Sequence, residues 1–372
     1  MTYSPPQAQS GDTEFSPSSP LTERYIIERL LGHGGMATVH LAEERKHRRK
    51  VAIKVLRQEF GASVGAERFL REIGIAAQLS HPHIVPLIDS GEADGSLYYV
   101  SPYVPGGSLR DRLNREKRLS IDDAMRIAHE IAAALDYAHR NGLVHRDVKP
   151  ENILFADDHA LLADFGIAHV SAKTAGRSLT GGGFALGTPE YMSPEQAAGD
   201  SEIGVPGDVY GLACVVYEML AGEPPLRGAT ARATMAKQVT EKPRPLRTLR
   251  PDAPAGFDRV LETALAKDPA QRYQSVVEFC SALDRARLEP ARHFAMTTRT
   301  IAVLPFVNSS PDPDNEYLSD GITDELINAL AKVEGLRVAS RTSVFALKGK
   351  AQDVRGIGAL LEATEVLEGS VR

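Results

Sequence analysis

The feature that most constrains this sequence is a pair of polar motifs at a fixed spacing. The first runs from His145 to Asn152 and reads HRDVKPEN, and the second, Asp164-Phe165-Gly166, begins twelve residues later. Either motif alone could be an ordinary turn, but the two together leave little room for coincidence. They supply the carboxylates, the amide and the lysine that chemistry on phosphate groups uses.

Each of these side chains has a part to play in phosphoryl transfer. Asp147 can accept the proton of an attacking hydroxyl, and Lys149 can steady the transferring group. Asn152 and Asp164 can bind a metal ion that bridges nucleotide phosphates. The sequence therefore predicts a phosphoryl-transfer site for ATP and Mg²⁺, with Mn²⁺ as an alternative metal.

The segments around the motifs predict two lobes with a cleft. Strand-like runs and one helix predict a small antiparallel sheet lobe; the strands are 25–31, 39–43, 50–57, 85–89 and 97–104, and the helix is 67–79. After Gly106 the pattern becomes helical, with helices at 121–141, 207–221, 229–240, 256–267 and 275–287. This order is typical of an enzyme that works in a cleft.

A glycine-rich hairpin and a lysine complete the predicted phosphate site. Gly32 to Gly35 separate the first two strands, and glycines let backbone amides approach phosphate oxygens. Lys54 ends an apolar strand, and Glu72 on the following helix is the natural partner for its ammonium group. Alone, the hairpin would be read as a plain turn and Lys54 as a surface lysine.

With these motifs in this order, and with Gly187 to Glu195 following them, the chain resembles eukaryotic-type (Hanks-type) serine/threonine protein kinases in their bacterial branch. The resemblance implies a bilobal α+β fold, with an N-lobe antiparallel sheet plus one helix and a helical C-lobe. It also implies a kinase that transfers the γ-phosphoryl group of ATP to serine and threonine hydroxyls of proteins in bacterial signalling. Lys149 and Thr188 favour these acceptors over tyrosine.

The resemblance assigns roles to matching residues. Lys54 would bind phosphate with Glu72 as its partner, Asp147 would be the catalytic base beside Lys149, and Asn152 and Asp164 would bind the metal. The residues expected to contact ATP are Leu31, Gly32, His33, Gly34, Gly35, Met36, Ala37, Thr38, Val39, Lys54 and Tyr103. The residues expected to be structural are Glu195 and Arg272, which would pair, and Asp208, which would brace the catalytic loop.

A loop between Asp164 and Glu195 is the expected site of regulation. Arg146, next to the base, would grip a phosphate on that loop, and a phosphate there can order a flexible segment. We expect autophosphorylation in trans at Thr180, with Ser178 second. The alternative is an unmodified polar loop.

Some positions depart from the family pattern without removing a catalytic group. Ala37 replaces the third glycine of the hairpin, Ser193 replaces an alanine, and Pro102 stands where an acid is common in the hinge. Ser101 occupies the gatekeeper position, where a larger residue is usual. A small side chain there predicts a pocket behind the adenine and sensitivity to bulky ATP-competitive inhibitors.

The predicted domains are a disordered segment at 1–21, a kinase domain at 22–287, a linker at 288–299 and a small α/β domain at 300–372. Runs at 301–306, 316–326 and 367–372 resemble the TolB-like N-terminal module of bacterial signalling proteins. We expect a non-catalytic interaction module that binds a partner protein. The chain stops after a strand-like run, so the module is expected to be incomplete.

Composition limits the function classes. The net charge of −6 gives no reason to expect nucleic-acid binding. The two cysteines, Cys214 and Cys280, fit a reducing cytoplasm rather than a disulfide framework or metal site. No apolar run approaches the roughly 18 residues of a membrane span.

Two other functions stay open at this point. A pseudokinase scaffold would only recruit partners, but such chains commonly lose the lysine, the base or the metal aspartate. A small-molecule phosphotransferase of related fold would generally lack the segment 187–195 and the lysine at position 149. Kinases of this kind can also form a transient dimer during activation, although no residue indicates one here.

Overall fold

The computed structural model describes residues 20–34, 37–57, 73–165, 188–200, 203–288, 299–312, 315–333, 336–348 and 353–372. Contacts within the chain separate two units, Met1–Glu289 and Pro290–Arg372. The first contains both polar motifs, and the second contains the C-terminal alternation of strands and helices. The domain limits at 22, 287 and 300 stay predictions.

The first unit begins with a five-stranded antiparallel sheet in the order β1-β2-β3-β5-β4. The strands are β1 (Tyr25–His33), β2 (Ala37–Glu44), β3 (Arg49–Leu56), β4 (Asp89–Ala93) and β5 (Ser96–Pro102). In β3 the side chains of Val51, Ile53 and Val55 are buried together. Because successive side chains point to opposite faces of a strand, Lys54 lies on the other face.

A short helix, α1 (Pro20–Arg24), precedes the sheet. Leu21 is fully buried and belongs to the same cluster as Tyr25 and Val51. The sequence assigned positions 20 and 21 to a disordered segment, but one apolar side chain is enough to anchor them. The rest of that segment, residues 1–19, lies outside the described ranges.

The fourth strand lies later in the chain than expected, so the predicted strand at 85–89 is wrong. The amide of Val85 donates to the carbonyl of Leu162 at 2.9 Å, and Ile84 forms a bridge with Leu162. The start of this apolar run therefore contacts the helical lobe, and bonding to the sheet begins at Ile88, whose amide donates to the carbonyl of Val100 at 2.8 Å. Of the predicted helix at 67–79, residues 73–76 are helical and 67–72 are not described.

Helices form the rest of the first unit. They are α2 (Leu109–Glu116), α3 (Ile121–Arg140), α4 (Pro194–Ala198), α5 (Val205–Ala221), α6 (Ala231–Thr240), α7 (Gly256–Ala264) and α8 (Val276–Leu288). Helix α5 is buried along most of its length and packs against α3. Ser120 caps α3, because its hydroxyl accepts the amide of Asp123 at 3.0 Å. Gly142 follows with φ 76°, a conformation that glycine adopts without strain.

A hairpin between the two polar motifs was not predicted. Its strands, β6 (Ile153–Ala156) and β7 (His159–Leu162), pair antiparallel. The hairpin thus brings the chain back beside the end of the first motif, where the amide of Ala163 donates to the carbonyl of Asn152 at 2.9 Å. The hairpin is the reason that two motifs twelve residues apart lie side by side.

The second unit has a parallel sheet in the order β10-β8-β11 and a separate pair of strands, β12 and β9. The strands are β8 (Arg299–Val303), β9 (Val307–Asn308), β10 (Leu336–Val338), β11 (Glu365–Leu367) and β12 (Ser370–Val371), and the helices are α9 (Asn315–Leu330), α10 (Arg341–Phe345) and α11 (Val354–Leu360). Strands and helices alternate along this unit, as in an α/β domain. Its buried cluster is small, with Ala302, Ala339 and Val344 at the centre. In neither unit does a described helix have the length and apolar character needed to cross a bilayer.

Candidate active site

Lys54 and Asp164 meet across the cleft between the sheet and the helical lobe. The ammonium group of Lys54 lies 2.7 Å from Asp164 Oδ2. The hydroxyl of Tyr99 donates to the other oxygen, Oδ1, at 2.5 Å. Two residues far apart in sequence therefore converge with a third that the sequence analysis did not single out.

These contacts keep Asp164 ionised. Burial alone would raise the pKa of its carboxyl group, but the charge of Lys54 and the hydrogen bonds from Lys54 and Tyr99 outweigh burial and lower that pKa. The same burial, with the adjacent carboxylate, raises the pKa of Tyr99 well above its ordinary value. Tyr99 is therefore a neutral donor and Asp164 a charged acceptor.

The loop of the first motif brings three more polar side chains together. Lys149 Nζ lies 2.6 Å from Asp147 Oδ2. The amide nitrogen of Asn152 donates to the backbone oxygen of Asp147 at 2.8 Å and to its Oδ2 at 3.0 Å. Since that nitrogen is held by Asp147, the carboxamide oxygen is the end of Asn152 that can face a ligand.

Asp208 on α5 holds this loop in place. Its carboxylate accepts the backbone amides of His145 and Arg146 at 2.8 and 2.7 Å, and His139 Nε2 lies 2.7 Å away. Arg146 has φ 67° and Asp164 has φ 66°, a region that residues other than glycine rarely adopt. Such a backbone persists only where its surroundings fix it, and Asp208 supplies that restraint at the first motif.

His145 links the two motifs. Its Nε2 donates to the carbonyl of Ala163 at 2.9 Å, and its Nδ1 accepts the amide of Asp147 at 3.2 Å. Its ring meets the ring of Phe165 edge-on, with centroids 4.7 Å apart. His145 thus fixes the loop of the first motif against the residues at the start of the second motif.

Arg272 and Glu195, the pair expected to be structural, are buried in the helical lobe. Arg272 donates from both terminal nitrogens to both oxygens of Glu195, at 2.8 and 2.7 Å. The same guanidinium also donates to the carbonyls of Ala266, Lys267 and Pro206. Arg272 is therefore saturated with partners away from the cleft.

The glycine hairpin leaves space over the site. Gly32 pairs with Val39, and the amide of Gly34 donates to the carbonyl of Ala37 at 2.9 Å. A Cβ built on Gly32 would meet none of the described atoms within 4 Å. The described part of the chain therefore leaves room beside this glycine.

Some predicted site residues cannot be placed. Glu72, Gly35 and Met36 lie outside the described residues, as do Ser178 and Thr180. Leu31 and His33 lie on β1, and Thr38 lies on β2 beside His33 in the pairing register. Tyr103 follows the end of β5, where its amide donates to the carbonyl of Lys50 at 3.2 Å.

Sequence reasoning also missed an ion cluster at Arg110 on α2. Arg110 donates to Glu151 Oε1 and Glu218 Oε1, each at 2.8 Å, and contacts the hydroxyl of Tyr191. Glu218 is 4% exposed, so its charge depends on this arginine. No local pattern connects residues that are 41, 81 and 108 positions apart, and only the folded chain brings them together.

The residues present suit only certain metals. Among the described residues, no group of three His, Cys, Asp or Glu side chains could hold a metal by itself. Asp164 and Asn152 together offer carboxylate and amide oxygens, the ligands that Mg²⁺ takes along with substrate phosphates and water. They fit a metal that arrives with a nucleotide.

The chain matches the protein kinase domain family over residues 25–283. It is 41% identical over 273 residues to the serine/threonine-protein kinase PknB of Mycobacterium tuberculosis, covering 72% of this chain and 43% of that protein. To PknH of Mycobacterium bovis it is 40% identical over 274 residues, covering 73% and 45%. The chain thus spans less than half the length of these curated relatives.

Solved kinase structures share the fold. The PknI kinase domain of Mycobacterium tuberculosis superposes with a TM-score of 0.57 at 32% identity, covering 75% of this chain and all of that domain. Rad53 residues 1–466, solved with AMP-PNP, gives a TM-score of 0.59 at 25% identity, covering 71% and 66%. The match covers most of the chain and includes both motifs and the cleft they line, so this chain belongs to the protein kinase family.

Proposed function

We propose that this protein is a serine/threonine protein kinase that transfers the γ-phosphoryl group of ATP to protein hydroxyls with the help of Mg²⁺. The observation that carries the proposal is the convergence of Lys54 and Asp164 in the cleft, beside Asp147 and Asn152. Lys54 comes from the sheet lobe, and the other three come from two loops that a hairpin holds together. Phosphoryl transfer depends mainly on such positioning and charge neutralisation.

Each residue has a proposed role. Asp147 accepts the proton of the substrate hydroxyl, and Lys149, 2.6 Å away, neutralises charge on the transferring group. Lys54 binds the α- and β-phosphates, with Glu72 as its expected partner. The hairpin from Leu31 to Val39 covers the nucleotide, and Tyr103 lies beside the adenine.

Asn152 and Asp164 hold the metal through oxygen atoms. Mg²⁺, or Mn²⁺ in its place, would neutralise charge that develops on the phosphates. The open space at Gly32 and the ionised carboxylate of Asp164 support this assignment. That Rad53 was solved with AMP-PNP in a fold of the same class adds support for ATP as the nucleotide.

A direct test compares the protein with an Asp147→Asn variant. Each is incubated with γ-labelled ATP, Mg²⁺ and a cell lysate, and phosphosites are identified by mass spectrometry. We expect Ser and Thr sites that need Asp147, because an amide cannot take the proton. Asp158→Asn, which removes a carboxylate on the exposed hairpin turn, is the matched control and should label as the wild type does.

Three results would contradict the proposal. Equal labelling by wild type and Asp147→Asn would show that Asp147 is not the base. Absence of labelling by the wild type would favour a pseudokinase scaffold. Labelling confined to small molecules would favour the phosphotransferase alternative.

Regulation by the loop between Asp164 and Glu195 is part of the proposal. Arg146 Nε is buried and has no hydrogen-bond partner among the described residues. A buried guanidinium nitrogen without a partner is costly, and a phosphate on Thr180, or second on Ser178, would satisfy it. Mass spectrometry of active enzyme should find phosphate at one of these sites, and finding neither modified would argue for an unregulated loop.

The second unit is proposed to be a TolB-like module that binds a partner protein. Its parallel sheet with strand–helix alternation suits that resemblance. We also propose a cytoplasmic location, since Cys214 and Cys280 are unpaired and buried as in proteins of reducing compartments. A transient dimer during activation is proposed from the family resemblance alone.

A further inference from the structure

Tyr99 contacts the proposed metal ligand, although the motifs assign it no role. Its hydroxyl donates to Asp164 Oδ1 at 2.5 Å while Lys54 occupies Oδ2. The tyrosine is 4% exposed. A hydrogen bond from a buried hydroxyl to a carboxylate is among the stronger ones in proteins.

The sheet register places both donors together. Lys54 and Tyr99 are directly paired across β3 and β5. Lys54 Nζ lies 5.7 Å from the centroid of the Tyr99 ring, so both side chains are on the same face. Directly opposed residues in a sheet keep a fixed separation, and Asp164 is therefore held at both oxygens by one cross-strand pair.

The ring of Tyr99 has little freedom to move. It is packed in a cluster with Leu56, Ile73 and Leu97, all buried. The position of its hydroxyl is thus set by the core of the sheet lobe. Lys54 differs, because its side chain is long and 27% exposed and can swing towards a phosphate.

We propose that Tyr99 is a positioning residue for the metal, holding the carboxylate of Asp164 when Lys54 turns to the nucleotide phosphates. The inference rests on the proposed function. In that function Lys54 has two partners, and its bond to Asp164 weakens when phosphates arrive. The hydroxyl of Tyr99 bonds to Asp164 alone among the described residues and keeps one oxygen fixed.

The Asp164 carboxylate can still bind a metal while it accepts the hydrogen bond from Tyr99. An ionised carboxylate has about four lone-pair sites, and Tyr99 takes one of them. Asp164 has φ 66°, a backbone conformation that is costly without support. By fixing the side chain of Asp164, the Tyr99 hydroxyl therefore also helps to hold its backbone in this conformation.

The test uses Tyr99→Phe, which removes one oxygen and keeps the ring among its neighbours. Tyr98→Phe is the matched control, because Tyr98 is the adjacent residue on β5, belongs to the other core cluster with Val51 and Val100, and makes the same chemical change. Binding of Mn²⁺ to each protein with a non-hydrolysable ATP analogue is measured by electron paramagnetic resonance. Thermal unfolding checks that both variants are folded.

We expect Tyr99→Phe to weaken Mn²⁺ binding by about tenfold, the usual cost of losing a group that orients a metal ligand. The Mg²⁺ concentration for half-maximal kinase activity should rise by the same factor, while kcat at saturating Mg²⁺ recovers. A merely structural role would lower kcat without moving the metal dependence. Tyr98→Phe should match the wild type.

Other outcomes overturn the inference. Unchanged Mn²⁺ binding in Tyr99→Phe would show that Asp164 needs no help from Tyr99. Tighter binding would show that the hydroxyl competes with the metal. Both results leave the proposed function intact, whereas failure of the wild type to bind Mn²⁺ with the analogue would overturn the function and the inference together.

Discussion

The cleft and the interior of the helical lobe each hold an ion pair, but the protein surrounds them differently. The side chains of Lys54 and Asp164 are 27% and 25% exposed, and they come from different lobes. Those of Arg272 and Glu195 are 0% and 9% exposed, and the arginine also donates to three backbone carbonyls. The first pair can be reached by a ligand, and the second cannot.

The difference suggests that similar charges serve separate purposes. A buried pair with every donor satisfied is fixed, and breaking it leaves a charge stranded away from water. A partly exposed pair is weaker and can exchange its partners. The interior pair should therefore govern folding, and the cleft pair should govern chemistry.

Removal of the interior arginine should have the largest effect. Arg272→Ala leaves Glu195 without its bidentate partner and should lower the free energy of unfolding by about 3–5 kcal/mol. Denaturant unfolding measures this loss. Arg287→Ala, which breaks an exposed pair with Asp122, is the control and should cost less than about 1 kcal/mol; similar losses in both variants would remove the distinction.

The corresponding change in the cleft should affect activity instead. Lys54→Met removes a donor that faces the phosphates and should lower kcat by about 10²–10³-fold. Its free energy of unfolding should change by less than about 1 kcal/mol, because the pair is partly exposed. Kinase assays and denaturant unfolding of one preparation give both values, and a large loss of stability would break the comparison.

The wall of the cleft offers a smaller test. Ser101 lines a cavity of about 30 Å³ together with Tyr99, Phe165 and Asp164, which is room for about one water molecule. Ser101→Met should fill it and weaken bulky ATP-competitive inhibitors by about tenfold, or about 1.4 kcal/mol of binding free energy, because the larger side chain takes the space that such inhibitors need. Inhibition constants measure the effect, and unchanged values would refute the predicted pocket.

Burial of the Cys280 thiol should make the stability of the protein depend on pH in the alkaline range. Burial, with a smaller contribution from Asp284, raises the pKa of the Cys280 thiol to about 12, whereas an unfolded cysteine titrates near about 8.5. The native chain therefore keeps a proton that the unfolded chain loses. Stability present below about pH 8.5 should fall by about 1.4 kcal/mol per pH unit above it.

Cys280→Ala removes this contribution. The difference in unfolding free energy between wild type and variant should shrink by about 1.4 kcal/mol between roughly pH 8 and 9.5. Using the difference cancels the other groups that titrate in this range. A difference independent of pH would mean that water reaches the thiol.

Much of the site was predictable because its residues are carried by motifs with fixed spacing. The expected partners Glu195 and Arg272 meet, and Asp208 contacts the loop of the first motif. The alternation of β3 was also enough to place Lys54 opposite the buried residues. In each case a local pattern or a known motif carries the information.

The remainder depends on contacts between distant segments. The run at 85–89 looked like a strand because it is apolar, yet Val85 bonds to Leu162, and bonding to the sheet begins only at Ile88, whose amide donates to Val100. The hairpin β6–β7 has strands of four residues each, too short to show a period. Tyr99 reaches Asp164 only because β5 pairs with β3 in one register, and sequence alone does not fix that register.

The most direct test of the account is the position of a bound metal. Crystals grown with Mn²⁺ and a non-hydrolysable ATP analogue would show the metal by its anomalous scattering. The account predicts a peak within about 2.2 Å of oxygens from both Asn152 and Asp164, with the analogue's phosphates beneath the glycine hairpin. A nucleotide bound elsewhere, or a metal that contacts neither side chain, would contradict it.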